Sequence, residues 1–303
     1  MAKITLGLPY KGSKAAIAED IVKKLPPGGR ILDACCGGGA FLMAAAMSLK
    51  WDSVVGNDLN KATIKLLDAV LIHKGQIDYE HPAPCSRVDF FHSLQRIENG
   101  DFDIQDCVNK YCASFGNDGK TYLYGEQIED YKLIAEKMLT APTLSERRSN
   151  YRKFFEIMTK EDDDGRLQKL EFVQRLQSLE RLERLERLDI FDIDYKGFDV
   201  VYFDPPYKGT NKYDFEFDYD RFYDLFKSLK TDLKINAFLS EYDAPFTCVA
   251  EFEKTQLMAA SVGSSKSTTM EKLFFNGTAD EYRELMGRFY DDGAQKDCQQ
   301  SLF

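Results

Sequence analysis

Arg30-Ile31-Leu32-Asp33-Ala34-Cys35-Cys36-Gly37-Gly38-Gly39-Ala40-Phe41 decides the fold class. The apolar run before Asp33 follows Pro26-Pro27-Gly28-Gly29 and reads as a short buried strand. The glycines make a tight turn, and 41–49 has the composition of a helix. A second strand, Ser53-Val54-Val55-Gly56-Asn57-Asp58, ends in an acid. Strand, glycine turn, helix, strand and acid, in that order, open a parallel nucleotide-binding sheet of the α/β class. At the carboxyl end of its first strand, Gly37 and Gly39 lack side chains that would keep a ligand from the backbone. Asp58, at the second strand's tip, is placed to accept hydrogen bonds from ribose hydroxyls. Aligning Gly37 and Gly39 with the dinucleotide fingerprint puts Leu42 where its third glycine belongs, which disfavours a nicotinamide cofactor.

Upstream, 13–24 reads as an amphipathic helix capped by Ser13, with Ile17, Ile21 and Val22 on one face. Downstream, 75–175 turns polar and punctuated by Tyr and Gly, the character of an insertion with its own fold. Leu167, Leu170, Val173, Leu176, Leu179, Leu182, Leu185 and Leu188 then recur at every third position. That period is neither 3.6 nor 3.5, but the Glu-Arg composition favours a connecting helix. Strands are expected at 188–193, 198–203, 237–240 and 271–276.

The third of the chemistry-bearing segments follows the strand at 198–203. Asp204-Pro205-Pro206-Tyr207 delivers a carboxylate, two rigid residues without N–H donors and an aromatic ring to the sheet's carboxyl edge. Such a turn offers acceptors and a stacking face but no nucleophile. It suits an exocyclic amine: the Asp204 carboxylate and the Pro205 carbonyl accept its two N–H bonds, leaving the nitrogen lone pair aimed at an electrophile. The Tyr207 ring stacks on the base plane, a contact worth roughly 1–3 kcal/mol.

With 303 residues the chain can bury a large core, and its seven cysteines include no Cys-x-x-Cys. His81, Cys85, His92, Cys107 and Cys112 match no tetrahedral spacing, so no metal is expected. No apolar run is long enough to cross a bilayer, and a mixed polar start follows Met1, so the expected location is cytoplasmic. A net charge of −10 counts against a nucleic-acid partner, but Lys and Arg cluster locally at Arg147, Arg148, Arg152 and Lys153, and again at Lys266 and Lys272.

In motif order as well as content the chain resembles the D12 class of DNA adenine-N6 methyltransferases, the Dam-like enzymes. Pro9-Tyr10-Lys11-Gly12-Ser13-Lys14 is similar to the family's amino-terminal motif, and the stretch from Asp33 to Phe41 to its glycine-rich motif. Asp58 matches its ribose acid, Asp194-Tyr195 an acid-aromatic pair, and Asp204 to Tyr207 its catalytic motif. The resemblance implies a Rossmann-like methyltransferase sheet, with 1–74 and 176–303 forming the catalytic domain and 75–175 an inserted, mainly helical target-recognition region. It implies S-adenosylmethionine as cofactor, contacted by Tyr10, Lys14, Asp33, Gly37, Gly39, Phe41, Asp58 and Asp204. It implies catalysis by Asp204, Pro205, Pro206 and Tyr207 on N6 of an adenine flipped out of double-stranded DNA, with a cognate restriction endonuclease as a further partner. Cytosine N4, an RNA base, and DNA binding without turnover are the alternatives. A cytosine-C5 enzyme would need a Pro-Cys nucleophile, and Pro84-Cys85 has those letters in a polar loop. Two departures stand out: Ala34-Cys35 replaces the usual Pro-Phe, leaving Phe41 as the aromatic candidate, and Glu241 follows Ser240 where Asn is usual.

Overall fold

The computed structural model describes residues 6–73, 76–77, 84–126, 128–157, 182–207, 217–257 and 266–288. Among the described residues seven strands form one sheet: β1 (Gly28–Asp33), β2 (Trp51–Asn57), β3 (Leu182–Glu186), β4 (Val200–Phe203), β5 (Asn236–Glu241), β6 (Thr247–Leu257) and β7 (Lys266–Phe275). Their spatial order is β3-β2-β1-β4-β5-β7-β6. The pairs along β3-β2-β1-β4-β5 are parallel, and β7 runs antiparallel to both β5 and β6. The order reverses between β1 and β4, and in an open α/β sheet the crevice outside the carboxyl ends at that reversal is where ligands bind. Asp33 ends β1, and Asp204 follows β4 directly.

Two compact units divide the chain. The sheet belongs to the unit made of Lys14–Cys36, Ala40–Leu59 and Arg181–Phe303. Its central strands are buried through, as Val200–Phe203 shows, because helices remove them from water; β-branched and aromatic residues suit such a position. Helix α1 (Ala18–Lys23) packs on α2 (Ala40–Ser48), which packs on β2. Every residue of α2 from Ala40 to Ala46 is buried, so it is apolar all round instead of amphipathic. Gly56 permits the close packing there: a Cβ at this position would lie 2.7 Å from Leu185 Cδ2 and 3.0 Å from Leu42 Cδ1.

The other unit gathers the described residues of Met1–Ser13, Gly37–Gly39 and Asn60–Glu180. Among them are α3 (Lys61–Leu71), α4 (Arg87–Asn99), α5 (Ile104–Cys112), α6 (Glu129–Thr140) and α7 (Leu144–Ile157). Ser86 with Asp89, and Asp103 with Asp106, form reciprocal capping boxes that start α4 and α5, and left-handed Gly100 ends α4. Cys85, Phe90, Ala113, Tyr122 and Tyr124 make a small core.

Three sequence expectations are corrected, and one strand was missed. The leucine repeat was expected to be helical; its part from 167 to 181 lies outside the described residues, but Leu182–Glu186 is a strand pairing with β2. A register shift between Val54 and Val55 marks a bulge, the device by which residues three apart share one face of a strand. The strand expected at 188–193 is a turn: the Asp189 side chain accepts from the Phe191 N–H at 3.0 Å, and local capping overrides the apolar composition. Ile190 and Ile193 are still buried. Ser13 does not cap the first helix, which begins later, with Ile17 at the N-cap position and no side-chain cap. The long strand β6 was not expected at all: its register shifts between Cys248 and Ala250, which breaks the period-two alternation that the sequence would otherwise show. Among the described residues no helix is long and apolar enough to cross a membrane, and no group of His, Cys, Asp and Glu is arranged to hold a metal ion. His81 lies outside the described residues, while Cys85, Cys107 and Cys112 are buried.

Candidate active site

Where β1 and β4 end, the chain accumulates charge that burial alone would forbid. Lys14, on the approach to α1, has a side chain only 6% exposed. Its Nζ lies 2.7 Å from Asp204 Oδ2 and 3.1 Å from Glu271 Oε1, and it donates to the Tyr207 hydroxyl at 2.6 Å. The Tyr207 hydroxyl in turn donates to Glu271 Oε1 at 2.7 Å. Burial pulls the Lys14 ammonium towards neutrality, but Asp204 and Glu271 outweigh it and hold the pKa above the ordinary lysine value. Burial, then Asp204 and Glu271, push the Tyr207 phenol far up, so Tyr207 stays a neutral donor. Its ring meets Tyr242 edge-on, with centroids 4.7 Å apart at 80°. The Tyr219 hydroxyl donates to the Pro206 carbonyl and braces the turn.

Asp33 is buried beside this cluster. Burial, then the charges of Asp204 and Asp58, raise its carboxyl well above the usual range, against the opposing pull of the Cys35 and Leu42 amides. Asp58 is half-buried at the tip of β2, its N–H donating to the Glu186 carbonyl at 3.3 Å. Asn57, buried next to it, donates to the carbonyls of Ala34 at 2.9 Å and Leu188 at 3.0 Å and so fixes the exits of β1 and β3. The Cys35 and Cys36 thiols are pushed well up, chiefly by burial, and stay protonated. Phe41 packs into the core: it is 3% exposed and stacks on Tyr202 at 3.8 Å, whose hydroxyl is 2.7 Å from Ser240 Oγ.

Tyr10, Gly37 and Gly39 lie in the other unit. Gly37 and Gly39 adopt φ of +46° and +79°. The Tyr10 ring lies over the turn, so a Cβ on Gly37 would be 3.0 Å from Tyr10 Cε1, and one on Gly38 only 2.6 Å from Tyr10 Cβ. Tyr111 meets the Tyr10 ring at 6.1 Å and bonds Thr63 at 2.6 Å.

Of the residues read from sequence, Lys14, Asp204 and Tyr207 thus share one network, and Asp33 is close enough to feel both Asp204 and Asp58 electrostatically. Glu271 was missed: its segment read only as a strand. The signal was phase, because Glu271 alternates with Leu273 and Phe275, both fully buried, and so carries a charge at an apolar position.

A family model described as the D12 class of N6 adenine-specific DNA methyltransferases matches residues 10–262. Among solved structures the chain is similar to the rRNA methyltransferase aviRa from Streptomyces viridochromogenes, 15% identical over 90% of each chain with a TM-score of 0.35. It is also similar to SMU.472, solved in complex with SAH, 13% identical over 86% of this chain and 51% of that one, TM-score 0.30. No curated protein matches at a significant level.

Proposed function

The chain belongs to the D12 class of N6 adenine-specific DNA methyltransferases, and on that premise we propose that it methylates N6 of an adenine turned out of double-stranded DNA, using S-adenosylmethionine. The observation that carries this reading is the Asp204–Tyr207 turn at the reversal of the sheet, its carboxylate held 2.7 Å from the buried Lys14 ammonium. The site fits the cofactor: a half-buried carboxylate stands at a strand tip for ribose hydroxyls, next to the carboxyl ends of β1 and β4 where the strand order reverses. When bound, S-adenosylmethionine supplies a methyl group already activated on sulfur. Asp58 would hold it through the ribose, Lys14 orders the carboxylate of Asp204 beside it, and Tyr10, Asp33, Gly37 and Gly39 take the positions of the family's motif residues.

What remains for the protein is alignment. Asp204 and the Pro205 carbonyl accept the two N–H bonds of the amine, so its lone pair points at the methyl carbon. Tyr207 presents a ring face to the base and offsets part of the few kcal/mol that turning it out of the stack requires. No covalent enzyme intermediate is needed, because the methyl group is already activated on sulfur and passes directly to the aligned amine. We further propose that the region 75–175 reads the DNA, with Arg148 and Lys153, both exposed on α7, contacting phosphate.

Incubation of unmethylated DNA with methyl-labelled S-adenosylmethionine, then mass spectrometry of the nucleosides, tests the reaction. Label in N6-methyladenine is the expected result; label in N4-methylcytosine, or transfer to RNA alone, would overturn it.

A further inference from the structure

We propose that Glu271 is a positioning residue of the methyl-transfer site, sharing the Lys14 ammonium with Asp204 and clamping the Tyr207 hydroxyl; the inference rests on the reaction proposed above. Glu271 lies on β7, outside every motif that carries the family resemblance, and its side chain is 1% exposed. A carboxylate there is costly: buried ion pairs are often replaced by apolar residues at no loss of stability. Leu273 and Phe275, on the same face of the strand, are fully buried apolar residues, so a charge at 271 departs from the pattern of its face. Stability therefore does not account for a charge at 271.

Geometry supplies the reason. An ammonium has three donors, and Lys14 directs them to Asp204, Glu271 and Tyr207. The contacts Lys14–Tyr207 (2.6 Å), Tyr207–Glu271 (2.7 Å) and Lys14–Glu271 (3.1 Å) close a triangle. Within it the Tyr207 hydroxyl accepts from Lys14 and donates to Glu271, which anchors the far end of the ring, while the edge-on contact with Tyr242 constrains its plane. The second carboxylate also draws Lys14 away from exclusive pairing with Asp204, so Asp204 keeps acceptor strength for the adenine amine. Glu271 acts through Tyr207 and Lys14 and does not touch the substrate.

Glu271→Gln is the discriminating variant, since it retains an acceptor oxygen but removes the charge. With the full chain, unmethylated plasmid DNA and labelled S-adenosylmethionine, kcat should fall by up to roughly 10²-fold while KM for DNA and cofactor and the melting temperature change little. Combined with Tyr207→Phe, Glu271→Asp should add little further loss, because both cut the same path. Wild-type kcat in Glu271→Gln, or losses that multiply in the double variant, would overturn the role. Should Glu271→Gln fail to fold, Glu271→Asp, which keeps the charge but retracts it from Tyr207, must also lose kcat; full activity there overturns the role equally. Wild-type transfer is the control that separates the two claims. No transfer by wild type removes the reaction and this role with it, whereas transfer unaffected by the Glu271 variants removes the role alone.

Discussion

Lys14 remains charged at a depth where burial alone would discharge it, and the two carboxylates that hold it charged are the ones it neutralises. Removing it leaves Asp204 and Glu271 facing each other, so Lys14→Met should cost about 3–5 kcal/mol of stability in denaturant titrations; a loss under ~1 kcal/mol, the usual range for an exposed pair, would mean that solvent reaches the pair. Asp58→Ala should weaken S-adenosylmethionine binding by about 1.5–3 kcal/mol, the worth of hydrogen bonds to a charged group. Unchanged affinity by calorimetry would remove Asp58 from the cofactor site. Asp204, Tyr207 and Lys14 were legible in the sequence because each sits in a short contiguous motif. The hydrogen bonds of the Tyr207 hydroxyl were not: a stacking role needs only the ring face, and its partners come from β7 and from the approach to α1.

Elements were legible where local pattern and tertiary demand agree. β1, β2 and β4 are short apolar runs between turn signals, and they are strands. β3 was not legible, since its pairing partner is the distant strand β2 and nothing in its own period announces that edge. In the helical unit, Asp118 organises the turn between α5 and α6. Burial raises its carboxyl, but the amides of Thr121 and Lys120 and the hydroxyls of Thr121 and Ser114 outweigh that and lower it to about 2 from 3.8. Its folded value lies below its unfolded one, so its contribution is complete above the ordinary aspartate value and disappears as pH falls towards about 2. Asp118→Asn should flatten this part of the melting-temperature profile, and a fall parallel to wild type would contradict the assignment. On α7 the substitution of Arg147, Arg148, Arg152 and Lys153 by Ala should weaken DNA binding and reduce the slope of log affinity against log salt. Arg147 also donates to the Ala141 carbonyl at 2.8 Å, so Arg148→Ala with Lys153→Ala is the cleaner pair. An unchanged slope would place α7 away from phosphate.

At the scale of the whole molecule, the net charge of −10 is opposed to DNA binding, so affinity has to come from local basic surface. The strand order, with β7 antiparallel between β5 and β6, brings three sequence-distant segments to one place: the approach to α1, the turn after β4, and the middle of β7. The first two were visible as motifs, whereas the third depended on topology that no local window contains. The central claim is that Asp204 orients an adenine amine, and single-turnover methyl transfer by Asp204→Asn, with cofactor binding measured alongside, tests it most directly. Asparagine keeps the shape but turns one acceptor oxygen into a donor facing N–H. The predicted result is a folded protein that still binds S-adenosylmethionine and has lost most of its transfer to adenine N6; transfer at the wild-type rate would contradict the account.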